Sequence, residues 1–128
     1  MSDLPKPFVQ PWKYLVSCLP EGHADWDLFT IQVERRAAGL WAVIQRSQLL
    51  GADGTWSWGF EWSGHIEGPA TDAEQELHDK EQEAWTAAHH FDHDTALRLA
   101  KEAAPKLQYR GYTVADALAE PKPQETTR

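Results

Sequence analysis

Cysteine is nearly absent. Cys18 stands alone among 128 residues, which excludes an intramolecular disulfide and any cysteine-built metal site. In the alternation Trp12, Tyr14, Val16, Cys18 it reads as an inert small hydrophobe on a strand face. Long apolar runs are missing as well, and none approaches the roughly 20 residues needed to cross a bilayer. The opening segment, Met1 to Pro7, lacks the basic-then-apolar shape of a secretory signal, so a cytoplasmic protein is expected. Positive charge is scarce: 12 Lys and Arg face 20 Asp and Glu, for a net charge of −8. Phosphate backbones and anionic lipid repel such a surface, which makes nucleic acid an unlikely partner and excludes a membrane one. The chain also has no G-x-S-x-G, no glycine-rich phosphate loop and no Walker sequence.

What the chain does have is tryptophan, seven residues of it, and clear alternation. Residues 1–11 carry Pro5, Pro7 and Pro11 and read as an extended arm. A single α+β domain over 12–118 follows, with a polar tail over 119–128. The first strand begins at Trp12 and ends before Pro20. A second runs from Leu28 to Arg35, with Phe29, Ile31 and Val33 on one face. Ala37-Ala38-Gly39 turns the chain into a third strand over 40–50. The turn Gly51 to Gly54 then leads to a fourth, in which Trp56, Trp58, Phe60 and Trp62 alternate with smaller residues. Folding about these turns pairs Val33 with Val43, Arg35 with Trp41, Leu49 with Trp56 and Val43 with Trp62. One register then places the Trp face in the core under a helix, with Trp58 central to it. The fold class is α+β: a four-stranded antiparallel meander, two main helices and a short C-terminal helix.

The helices announce themselves by their caps. Thr71 and Glu74 form a capping box that opens a helix to about Ala88. Its apolar stripe is Ala73, Leu77, Ala84, Trp85 and Ala88, and Glu81 falls close to it. Asp72, Glu76, Asp79 and Glu83 line the opposite face. Asp92 or Asp94 caps a second helix, apolar along Ala96, Leu97, Leu99, Ala100, Ala103 and Ala104 and stopped by Pro105. A short strand over 107–112 and a last helix opened by Thr113 and Asp116 complete the pattern.

Two groups of residues suggest chemistry. The acidic stripe Asp72, Glu76, Asp79 and Glu83, with Trp12 and Trp26 as spare aromatic anchors, suits a protein partner, and a basic one by charge. The alternative is a metal-dependent enzyme or metal-binding protein using Zn or Fe at His89, His90, Asp92, His93 and Asp94, with His65 or His78 as further donors. The same acids also suffice as helix caps, and no established zinc spacing is matched. The first reading requires no cofactor and is compatible with a homo-oligomer.

The segment Phe91-Asp92-His93-Asp94-Thr95-Ala96-Leu97, followed by Ala100, Ala103-Ala104-Pro105 and Gly111-Tyr112-Thr113, resembles the C-terminal part of small uncharacterised accessory proteins of phages that infect high-GC, actinobacterial hosts. The strand phrase Trp41-Ala42-Val43 fits that style. The resemblance covers about a third of the chain and implies an accessory factor that acts on a host protein in the host cytoplasm. It brings no functional residues with it. The expected function is therefore a non-catalytic protein-binding factor.

Overall fold

The computed structural model describes residues 4–61 and 70–119. Five strands form one antiparallel sheet in chain order: β1 Lys13–Ser17, β2 Thr30–Ala37, β3 Leu40–Gln45, β4 Gln48–Leu50 and β5 Trp56–Ser57. Helix α1, Asp72–Ala88, and helix α2, His93–Ala103, follow. A 3₁₀ turn over Ala104–Lys106 leads to a small hairpin of β6, Gln108–Tyr109, and β7, Tyr112–Thr113, and then to α3, Val114–Ala119. This is the expected α+β order, with five strands where the sequence suggested four.

The β2–β3 register is the expected one, with Val33 opposite Val43 and Arg35 opposite Trp41, and a bulge between Arg35 and Ala37 before the Gly39 turn. Gly39 takes φ +75°, which a side chain would resist. The core lies where this register puts it. Phe29, Ile31, Val33 and Val43 are the largest fully buried side chains, each stabilising the fold by about 1.5–3 kcal/mol on burial. Ala96 and Ala100 of α2 are buried against them, with Leu97 and Leu99 partly so. The small alanines let the helix backbone approach the sheet closely. The helix is also tied to β3 by its entry: Phe91 and Trp41 exchange both backbone hydrogen bonds, at 2.7 and 2.8 Å.

The fourth strand corrects the sequence reading. The stretch 40–50 is not one strand, because Arg46 and Ser47 both take positive φ, 51° and 72°, and close a two-residue hairpin between Gln45 and Gln48. Reversing there makes β4 a separate, three-residue strand. The next pairing then falls one residue away from expectation, with Leu50 opposite Trp56 and Leu49 opposite Ser57. Trp56 packs against the core, but β5 ends at Ser57, and Gly59, at φ +147°, carries the chain away. Trp58 is consequently 72% exposed and is not a core residue. Trp62 lies outside the described residues. A similar correction applies to Cys18, which is exposed because β1 stops at Ser17 and the chain bends.

The caps form as the sequence specifies. Thr71 Oγ1 accepts from the Glu74 backbone N–H at 3.1 Å and Glu74 accepts from the Thr71 N–H at 2.8 Å. The Asp92 carboxylate accepts from the Thr95 N–H at 2.7 Å. Thr113 and Asp116 make the same reciprocal pair at the head of α3, at 3.0 and 3.1 Å. His23 ties the β1–β2 connection to that helix. Its buried ring donates from Nε2 to the Ala117 carbonyl and accepts from the Asp25 N–H at Nδ1, both at 3.0 Å. Among the described residues no helix is long and apolar enough to cross a membrane.

Candidate interaction surfaces

Helix α1 is unlike α2. None of its 17 residues is buried, and Leu77, at the middle of its apolar stripe, is 53% exposed. Three of the five stripe residues are alanines, so covering the stripe would remove little apolar area from water. Described contacts hold the helix at one side and at its C-terminal end. Phe60 meets the His78 ring edge-on at 5.5 Å and lies 6.4 Å from the Trp85 ring, whose Nε1 donates to Ser57 Oγ at 3.4 Å. The Ala52 N–H donates to the Ala88 carbonyl at 2.8 Å.

The four acids of the stripe are all exposed. Asp79 accepts from Gln75 Nε2 at 2.9 Å and pairs with His78 Nδ1 at 3.2 Å. The His78 hydrogen bond, followed by that of Gln75, holds its carboxyl below the usual carboxylate range. Asp79 and Glu83 also stand at a groove of about 630 Å³ between α1 and the β2–β3 turn. Its other walls include Leu40, which is 44% exposed, Ala87 and His90. Of the two proposed anchors, Trp12 is 58% exposed with the Lys13 ammonium 5.1 Å from its ring centroid, whereas Trp26 packs against the core.

The His and Asp residues between α1 and α2 are put to separate structural uses. His89 is buried, donates from Nδ1 to the Trp85 carbonyl at 2.7 Å and stacks on the Trp85 ring. His90 donates from Nδ1 to the Thr86 carbonyl at 2.8 Å. Asp92 is the α2 cap. His93 pairs with Asp94 at 2.9 Å and reaches the Tyr14 hydroxyl at 3.0 Å, its ring set edge-on against Tyr14 and Trp41. Among the described residues no three His, Cys, Asp or Glu side chains are grouped to hold a metal ion. His65 lies outside the described residues.

A further surface was not legible in the sequence. The β3–β4 and β6–β7 turns stand side by side, and Arg46 and Arg110 at their tips both lie over the Tyr109 ring, 4.3 and 5.3 Å from its centroid. Trp58 borders the same hollow.

Comparison with protein families, with curated proteins and with solved structures finds no match to this chain.

Proposed function

We propose that this protein is a non-catalytic binding factor that presents α1 to a basic protein partner. The observation that supports this most is a capped, 17-residue helix with no buried residue, standing beside a domain whose core is complete without it. An isolated helix of this length is marginal in water, and most helical stability in proteins comes from packing an apolar face. A helix with no buried residue is suited to gain that stability from another chain. The groove beside it combines an apolar wall, Leu40 and Ala87, with the carboxylates of Asp79 and Glu83. That chemistry suits a segment inserting an apolar side chain with Lys or Arg flanking it. The resemblance of the C-terminal segment to phage accessory proteins makes a host protein the class of partner, met in the cytoplasm.

The test replaces Asp72, Glu76, Asp79 and Glu83 by Ser together. All four are exposed, so the near-ultraviolet circular dichroism of the sheet core should be unchanged, while α1 loses some stability as Asp72 leaves its positive N-terminal end. Proteins retained from host lysate by the wild type at low salt should be released by salt and should not be retained by the variant. Equal retention by both, with equal salt dependence, would contradict the proposal.

A further inference from the structure

The hollow between the two hairpin tips has a composition at odds with the rest of the chain. It has a volume of about 410 Å³ and shares the lining residues Gln45, Gln48 and Gln108 with a second hollow of about 250 Å³, which Trp56 and Lys106 also line. The combined cleft contains Arg46, Arg110 and Lys106 and, among the described residues, not one carboxylate. The protein has 20 acidic residues and 12 basic ones, so such a segregation needs a reason. A separate depression that Trp56 and Trp58 also line is the one that holds Glu61, together with Trp85.

The arginines are also held at a cost. Gln45 pairs with Gln48 around Arg46-Ser47, and Tyr109 pairs with Tyr112 around Arg110-Gly111. All four central residues have positive φ: 51° and 72° in one turn, 50° and 84° in the other. Asn or Gly would occupy the first position of such a turn with less strain than Arg. Among the described residues neither arginine has a carboxylate within ion-pair distance. What they do meet is the ring of Tyr109, and Arg46, Tyr109, Arg110 and the exposed Trp58 line the same hollow.

The geometry points to a nucleotide site: a nucleobase stacked on Trp58 at the mouth of the cleft, with its phosphate held by Arg46 and Arg110. Arg forks suit phosphate oxygens, an exposed indole suits a base of any kind, and primary amides offer a donor and an acceptor to a base edge or ribose. The volume is that of a small-ligand pocket. The net charge of −8 opposes a long polyanion far more than a single nucleotide, so a free mononucleotide is the ligand the whole molecule favours. This inference is independent of the role of α1.

Calorimetric titration at low ionic strength with each of the four ribonucleoside 5′-monophosphates tests it, alongside inorganic phosphate and a single strand of roughly a dozen nucleotides. At least one monophosphate should bind at a single site with Kd below about 1 mM. Arg46→Asn combined with Arg110→Asn keeps both turns, since Asn tolerates positive φ, and should weaken binding by about tenfold or more. Trp58→Ala should weaken it by about fivefold or more without moving the thermal midpoint. Equal affinity for the strand and the mononucleotide identifies the free nucleotide as the source. Tighter, more salt-sensitive binding of the strand identifies a strand. The inference is overturned if no nucleotide saturates the protein, if the variants bind as the wild type does, or if only an acidic aromatic peptide binds, in which case the cleft is a protein interface.

Discussion

His89 lies flat against Trp85, one turn earlier on the same helix, with ring centroids 4.1 Å apart and planes 18° from parallel, and this stack fixes the His89 ring at the C-terminal end of α1. Behind it sits Gly51. A methyl group on Gly51 would stand 3.1 Å from His89 Nε2 and 3.0 Å from Asp53 Oδ1. Asp53 cannot easily give way, because it accepts from both the backbone and the hydroxyl of Thr55 to close its own turn. Those bonds, the hydroxyl's first, also hold its carboxyl below the ordinary range. Gly51→Ala should therefore push His89 off Trp85 and cost about 1–3 kcal/mol, read from the urea midpoint. An unchanged midpoint would mean that the His89 ring gives way at no cost.

The exposure of Trp58 and the burial of Ile31 make a paired prediction. Trp58→Ala should change stability by no more than about 0.5 kcal/mol, as for a surface substitution. Ile31→Ala, at a position with no exposure, should cost about 2–5 kcal/mol. A large loss at Trp58 would return that residue to the core, where the alternation of the sequence had placed it.

That pair shows what the sequence could and could not say. The β2–β3 register was legible because Gly39 marks the reversal and the apolar residues on both sides agree with it. The caps at Thr71, Asp92 and Thr113 were legible because each is a bond between a side chain and backbone three residues away. The turn at Arg46-Ser47 was not legible, because it adopts a conformation that usually calls for Asn or Gly and contains neither. Missing it merged two strands. The next register slipped by one residue because the loop that follows spans 51–55 rather than 51–54. Trp58 turned inward only by continuing an alternation that stops at Ser57. The cleft was invisible for the same reason, since it joins that turn to a second one some sixty residues later. The exposure of α1 was hidden by its periodicity, which marks an apolar side without saying how little area alanines offer.

Acid should loosen α2 at its start. The Thr95 backbone N–H, then the Thr95 hydroxyl, hold the Asp92 carboxyl below its usual 3.8. With the folded value depressed, the cap's stabilisation is fully present above the unfolded value and is lost as the pH falls through the folded one. Wild-type stability should thus fall more steeply below about pH 4 than that of Asp92→Asn, which keeps an accepting oxygen without a charge to titrate. Parallel acid limbs for the two proteins, compared by thermal midpoint, would show that the cap does not titrate.

The histidines between α1 and α2 lead to a prediction about metal. His93 is engaged at both nitrogens, while His89 and His90 spend only Nδ1 on a backbone carbonyl. The described residues bring no three donors together, so a zinc or iron ion would need the segment rearranged to bind. Protein purified without chelator should contain less than roughly one-tenth metal per chain. One equivalent of zinc or iron, lost on replacing His89 and His93 by Ala, would establish the metal reading instead.

Hydrogen exchange along α1 is the most direct test of a helix presented for binding. In the free protein its amides should exchange well before those of α2, whose Ala96 and Ala100 are fully buried. With the captured protein partner bound, protection should rise along 72–88 and leave the β6–β7 hairpin unchanged. Equal protection of α1 and α2 in the free protein, or protection gained only away from α1, would contradict the account.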